Sequence, residues 1–394
     1  MTSGSHRPSC EQSSALDSPV IPYGHHDIDD ADVAAVEAVL RGEWLTTGPA
    51  VAKFEDDLRA WTGNTPVVAV SSGTAALHVA YAAAGIGPGD EVITSPMTFI
   101  ATQATAVAVG ATIVFADVHD DTATIDAAAV EAAITSRTKA IVAVDYAGHP
   151  ADMDELSALA DRHGLLLIED AAHSLGSTYR GRAVGSLAGI TAFSFFPTKN
   201  ITTAEGGAVA VRDPEMLVRA REFARQGLIR DPARLRITDE GPWHQEVHEF
   251  GLNYRLPDVL AALGSQQLSR LQGFKRRRAE IKGRYDRIFS AVEDLVTPAQ
   301  RDYVDPTWHL YPLRVPADRR REVFERLRSA GIGVQVNYLP AYWHPVFADL
   351  GYLRGLCPVA ESFYEGEISL PVFTGLTDDE INVVGDAVVT ALQA

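Results

Sequence analysis

Cysteine is almost absent from this chain: there are two, Cys10 and Cys357, in 394 residues. They lie far apart in sequence, and no disulfide framework or zinc-type spacing can be built from them, so no metal is expected. No apolar run reaches membrane-spanning length; the longest candidate, "ATQATAVAVGATIVFA", is broken by Thr, Gln and Gly. The N-terminus, "MTSGSHRPSCEQSSALDSPV", lacks the apolar stretch of a secretory signal. Basic charge is short as well, with 34 Lys and Arg against 52 Asp and Glu and a formal charge of −18. Nucleic acid and anionic membrane both demand basic surface and are poor partners for such a chain. The expected setting is the cytoplasm. A small phosphorylated ligand stays open, because it needs only a few local donors.

What is present suffices for two domains, with 46% apolar residues to build their cores. A polar, Ser-rich tail is expected over 1–18, a large domain over 19–265 and a small C-terminal α/β domain over 266–394, joined by a long helix. From residue 67 short apolar strands ("VVAV", "EVITS", "TIVFADV", "KAIVAVDYA", "LLLIED") alternate with amphipathic helices. That rhythm implies a mostly parallel sheet covered on both faces. A hairpin follows at "STYRGRAVGS", then strands "GITAFSFF" and "GAVAVR". The Arg- and Lys-rich helix of roughly 257–290 leaves the large domain. "WHLYPLRV", "ADRRREVFERLRSAG", "GVQVNYLP" and a last helix near 377–392 furnish the small one.

Ligands of open α/β sheets collect at the carboxyl ends of strands, and three features fall there. Ser72, Gly73 and Thr74 of "SSGTAAL" enter a helix, either as a plain cap or as a phosphate cradle. Asp170 closes "LLLIED", where it either caps the next helix or holds a ring nitrogen protonated. His173 either lies beside the same ring or is an ordinary half-buried histidine. Lys199, in "FSFFPTKNITTAEGG", sits among apolar and small residues. It either snorkels to solvent past Phe195 and Phe196 or loses its proton to burial and condenses with an aldehyde. A phosphate cradle, an acid for a pyridine nitrogen and an amine for an aldehyde are together the needs of pyridoxal 5'-phosphate (PLP) and its aminated form, PMP. Phe99, in "SPMTFIAT", suits either the pyridine face or helix packing. Ser194 suits either the phosphate or a solvated strand end.

The segments "IPYG", "SSGTAALHVA", "GPGDEVITSPMTFIAT", "IEDAAHSLGSTYRG", "FSFFPTKNITTAEGG" and "GLNYRLPD", in that order, resemble the DegT/DnrJ/EryC1/StrS family of sugar aminotransferases. The resemblance runs from about residue 20 almost to the C-terminus. It implies fold type I of the PLP enzymes, with a seven-stranded type of sheet between helices, and a homodimer with its active sites at the subunit interface. It also implies roles. Lys199 would be the Schiff-base lysine, Asp170 the pyridine-nitrogen acid, and His173 the residue that is Gln or His in relatives. Gly73, Thr74 and Ser194 would bind phosphate and Phe99 would stack. Asn253 would reach the partner subunit's phosphate, with Arg255 close by. On its residues alone, "GLNYRLPD" is a turn before a helix begun by Pro257. One departure shows: "ARQG" at 224–227 carries Gln226 where many relatives have His.

Some relatives with His in place of the lysine are sugar 3-dehydratases; this chain keeps Lys199, which favours transamination. "IPYG", "WHLYPLRV" and "VQVNYLP" look like the branch that aminates the C4 ketone of nucleotide-linked 4-keto-6-deoxy sugars, with L-glutamate as donor by family analogy. The alternatives are a PLP-dependent sugar dehydratase, a C3-keto sugar aminotransferase and a non-catalytic sugar-nucleotide sensor. Arg255, Arg314, Tyr338, Trp343 and His344 are either substrate contacts or packing.

Overall fold

The computed structural model describes residues 21–237 and 239–393; the tail expected over 1–18 lies outside them. Two helices lead the chain, α1 (Asp30–Leu40) and α2 (Pro49–Trp61). Asp29 caps α1 by accepting from Ala31 and Asp32 N–H, and Pro49 opens α2 with its φ preset for a helix. Then β1 (Val67–Val70), α3 (Gly73–Ala83), β2 (Glu91–Thr94), α4 (Ala101–Ala108), β3 (Thr112–Phe115), α5 (Ala127–Ala133), β4 (Thr138–Val144), α6 (Met153–His163) and β5 (Leu166–Asp170) alternate as the sequence pattern requires. The hairpin strands β6 (Thr178–Tyr179) and β7 (Arg182–Ala183) precede β8 (Ile190–Ser194) and β9 (Gly207–Val211).

Seven strands form one sheet in the order β1-β9-β8-β5-β4-β2-β3. Only β9 runs antiparallel to its neighbours; the β2/β3, β2/β4, β4/β5 and β5/β8 pairs are parallel. Val, Ile and Ala along β1, β4 and β9 are buried on both faces, so helices must cover both sides. One core holds Val70, Val142 and Ile168 beneath α3; the other holds Phe54, Leu156 and Phe193 beneath α2 and α6. Because β1, β2, β4, β5 and β8 point the same way, their carboxyl ends gather along one edge. That edge carries Gly73, Phe99, Asp170 and Ser194.

After α7 (Pro214–Phe223), the short pair β10 (Leu228–Ile229) and β11 (Glu246–Val247) projects before α8 (Asp258–Phe289). This single 32-residue helix packs on α1 and α2 at its start and on α12 near its end. The boundary expected at 265/266 therefore falls inside continuous helix. Gly264 there is a close approach and not a break: a Cβ would come within 2.6 Å of the Phe54 ring. Beyond it, β12 (Val304–Asp305) returns to pair with β6, and β13 (Tyr311–Arg314), α9 (Arg320–Ser329), α10 (Pro345–Ala348), α11 (Pro358–Gly366), β14 (Glu367–Leu370) and α12 (Asp378–Gln393) follow. A third core of Tyr285, Tyr311, Leu313, Val323, Ile368 and Val388 holds the small unit together. Ile21 belongs to that core too, its N–H donating to Gly331 O while its own carbonyl accepts from Gly333. The N-terminal segment is thus shared with the small unit and not confined to the large one. "GVQVNYLP" forms no strand ladder; an isolated bridge joins Gln335 to Ser369.

Candidate active site

Asp170 ends β5 as a buried carboxylate. Its Oδ2 accepts from Thr102 Oγ1 at 2.6 Å and its Oδ1 from Ala172 N–H at 3.2 Å. Burial pushes its pKa up from the ordinary carboxylate value, against the pull of those two bonds and of the Lys199 charge. Lys199 lies in the loop between β8 and β9, where its own N–H closes a turn onto Phe196 O at 2.9 Å. Asn200 pins the loop from below, donating to His173 O at 2.8 Å. Lys199 is half-buried, and burial pulls the pKa of its amine down to about 8, with Asp170 acting in the opposite direction. Of the two phenylalanines before it, Phe195 is fully buried and Phe196 half-exposed.

His173 is buried beside this pair. Its Nε2 lies 3.2 Å from Tyr338 Oη, its ring centroid lies 4.3 Å from that of His309, and its Nδ1 has no partner. Burial first, and the Lys199 charge second, hold its pKa well below the usual value, so the imidazole is neutral. Phe99 stands at the rim, 59% exposed, with its ring edge toward Tyr338. Across the edge, Ser72 caps α3 through Ala75 N–H. First-turn N–H groups have no intrahelical acceptor, which leaves those of Gly73 and Thr74 for a ligand or solvent. Ser194 leans on that turn: a Cβ at Gly73 would sit 2.6 Å from Ser194 Cβ and 2.8 Å from its Oγ. Only glycine lets the hydroxyl approach so closely.

The structure therefore brings Asp170, His173, Lys199 and Tyr338 into one cluster, with Phe99 at its rim and Gly73, Thr74 and Ser194 at the neighbouring strand ends. The other expected residues stand apart within the single chain. Asn253 is exposed and backbone-bridged to Arg225, and Arg255 donates from Nη1 to Gln226 Oε1 at 2.6 Å. His344 begins α10, and no hydrogen bond or ring contact among the described residues joins it to Lys199. Arg314 lies over the Phe363 ring and Trp343 donates to Glu361, both as packing. Three members had no sequence signal of their own. Thr102 and Asn200 act only through partners distant in sequence, and His309 looked like one more residue of an apolar strand.

The profile of the DegT/DnrJ/EryC1/StrS aminotransferase family matches residues 26–389. The chain belongs to that family. Among its relatives, the Bacillus subtilis (strain 168) spore coat polysaccharide biosynthesis protein SpsC is 40% identical over 374 residues, 93% of this chain and 96% of the relative. The Campylobacter jejuni UDP-4-amino-4,6-dideoxy-N-acetyl-beta-L-altrosamine transaminase is 37% identical, covering 95% and 98% of the two chains. The Streptococcus pneumoniae protein Spr1654, solved in PMP and PLP forms, superposes with a TM-score of 0.89 at 32% identity, over 95% of this chain and 98–99% of its own. This DegT/DnrJ/EryC1/StrS member is a sugar aminotransferase of the PLP-dependent fold, and its cofactor is PLP. The site fits that cofactor on its own terms. An amine of lowered basicity, a carboxylate at the sheet edge and a glycine-opened helix start beside a hydroxyl match the aldehyde, the ring nitrogen and the phosphate. No helix among the described residues is long and apolar enough to cross a membrane.

Proposed function

We propose that this protein transfers the amino group of L-glutamate to the C4 ketone of a nucleotide-linked 4-keto-6-deoxy sugar, as a cytoplasmic homodimer with active sites at the subunit interface. The observation that carries the reading is that Lys199, its amine at about pKa 8, lies near enough to the buried carboxylate of Asp170 for each charge to act on the other. The C4 assignment draws support from the C. jejuni relative, whose name carries a 4-amino-4,6-dideoxy sugar on UDP.

When bound, PLP supplies an electron sink through which an amino group and a carbon-bound proton can be exchanged. Lys199 Nζ would hold the cofactor by its aldehyde and, when free, would take up and return a proton; a pKa of about 8 keeps both its forms populated close to neutrality. Asp170, its two oxygens fixed by Thr102 and Ala172, would hold the ring nitrogen's proton. Gly73 and Thr74 N–H with Ser194 Oγ bind the phosphate at the positive end of α3. Neutral His173 packs beside the ring and Phe99 covers it from the rim. Asn253 reaches the partner subunit's phosphate, and Arg255, Tyr338 and His344 meet the substrate. For the dimer, the support is Phe250 at 96% and Trp243 at 77% exposure on the projecting segment that leads to Asn253.

The test is a half-reaction followed by a substrate panel. L-glutamate should convert the bound PLP absorbance to that of PMP with one 2-oxoglutarate released per site. NDP-4-keto-6-deoxy sugars should then yield an amine that NMR places at C4. No 2-oxoglutarate, or an amine at C3, would defeat the proposal.

A further inference from the structure

Glutamate is rarely buried without a cation beside it. Yet Glu367, the first residue of β14, is fully buried and makes no ion pair among the described residues. Both of its oxygens are taken by neutral groups: Oε2 accepts from Asn337 N–H at 2.7 Å, and Oε1 pairs with the Ser369 hydroxyl. Burial pushes its pKa up to about 8, against the pull of those two bonds and of the Arg320 charge. Near neutrality the group is therefore mostly an uncharged acid, with a carbonyl oxygen for Asn337 and an O–H for Ser369.

The bonds converge on Asn337. Its N–H goes to Glu367, its carbonyl accepts from Tyr146 Oη, and its Nδ2 donates to Tyr23 Oη at 2.7 Å. Three parts of the chain thus grip one residue: β14 of the small unit, the turn after β4 in the large one, and the N-terminal segment. Two residues earlier, Ser369 N–H donates to Gln335 O at 2.8 Å and Gln335 N–H to Ser369 O at 3.3 Å. Tyr23 belongs to "IPYG" and Asn337 to "VQVNYLP", so two stretches far apart in sequence meet at this point. The next residue is Tyr338, whose Oη lies 3.2 Å from His173 Nε2 and whose ring meets that of Phe99 edge-on. With the N–H, carbonyl and side chain of its neighbour all engaged, Tyr338 has little freedom to swing away.

We propose that Glu367 is a positioning residue for the cofactor site: by holding Asn337 it keeps Tyr338 on His173. No hydrogen bond among the described residues joins Glu367 itself to Asp170, His173 or Lys199, so it acts only through the 337–338 segment. A contact residue is only as well placed as the groups that support it. The inference rests on the reading that puts PLP among Asp170, His173 and Lys199, and it adds a link from the small unit to that site.

Nitrogen NMR of the PLP-loaded enzyme, isotope-labelled at histidine, tests it; His173→Gln identifies the His173 signal by its loss. Tyr338→Phe removes the hydroxyl and should shift that signal. Glu367→Leu, similar in size, leaves Asn337 N–H unpaired and should shift the signal the same way; combined with Tyr338→Phe it should add nothing further. Glu367→Gln keeps an acceptor for Asn337 and a donor for Ser369, and should leave the signal at its wild-type position. An unmoved signal in Tyr338→Phe or in folded Glu367→Leu overturns the proposal, and so does a Glu367→Gln signal displaced as far as that of Glu367→Leu. If Glu367→Leu does not fold, Glu367→Asp replaces it: withdrawing the carboxyl by one methylene should shift the signal in the same direction, and no shift again overturns the proposal. The glutamate half-reaction of wild type is read separately. Its failure would sink the transaminase reading, while the His173 signal would still report on Glu367.

Discussion

Two clusters in this molecule hold more basic side chains than acids, and they resolve that excess in opposite ways. Around Lys199, with His173, His309 and a single carboxylate, burial drives both imidazoles neutral and lowers the amine to about pKa 8. Around Arg255, the cavity that it lines with Arg221 and Arg225 holds one acid, Glu55, already bonded to Arg221 and to Ala69 N–H. The first cluster is low in net charge and suited to proton transfer. The second sets three guanidinium groups against one carboxylate. Lysine and arginine are thus used where each alone will serve.

The sharpest way to break the comparison is to exchange the two chemistries. Lys199→Arg keeps a cation and loses the only titrating amine at the site. Transamination should fall by roughly a thousandfold or more, since a positioned acid–base group alone is worth about 10²–10⁴, and no covalent adduct should be fixed by borohydride. Measurable steady-state turnover by that variant would show that the proton carrier lies elsewhere. Asp170→Asn comes next, because it keeps the size and the Thr102 contact while removing the charge that holds the ring nitrogen's proton. A loss on the order of 10²–10³ in kcat is expected, with PLP absorbance at saturating cofactor retained. A kcat within a factor of three of wild type would remove Asp170 from its role.

The fold was largely legible because its signals are local. Strands such as "VVAV" and the "LLLI" that leads to Asp170 announce themselves by apolar composition, and the helices between strands by amphipathic spacing. Lys199 and Asp170 drew notice for a related reason: one is the single lysine of an apolar and small-residue run, the other an acid that closes an apolar strand. What stayed hidden is contact made across the topology. Nothing in "TFIATQ" marks Thr102 as the partner of a residue 68 positions away, and "WHLYPLRV" does not say that His309 ends against His173. The sharing of Ile21 with the small unit is likewise a tertiary fact, and the domain boundary disappeared into a helix that carries no break.

A smaller effect separates the phosphate end from the amine end. Gly73→Ala places a methyl 2.6 Å from Ser194 Cβ, closer than real Cβ atoms pack, so the helix start and β8 must part. PLP affinity should drop roughly tenfold, about 1.4 kcal/mol, and Ser194→Gly in the same chain should recover the space but not the lost hydroxyl. The double variant should therefore fold like wild type and still bind PLP more weakly. Full recovery of affinity would mean that Ser194 contributes volume and no bond.

The smallest effect is the one that reads the contrast directly, as stability against pH in the cofactor-free protein. An unfolded lysine titrates near 10.4, whereas folded Lys199 titrates at about 8. A lowered pKa on a base means the folded state disfavours the charged form. The resulting destabilisation is complete below pH 8, where both states carry the proton, and it is relieved as pH rises through the window from 8 to 10.4, where only the unfolded chain does. Lys199→Met should therefore stabilise the apoprotein at pH 7 by about 1–3 kcal/mol, and the gain should shrink steadily toward pH 10. Arg255→Met, compared in the same denaturant titrations, should show a difference from wild type that does not change across that window. If the two substitutions gave parallel pH profiles, the two clusters would be handling their charge alike, and the division of labour between lysine and arginine would be lost.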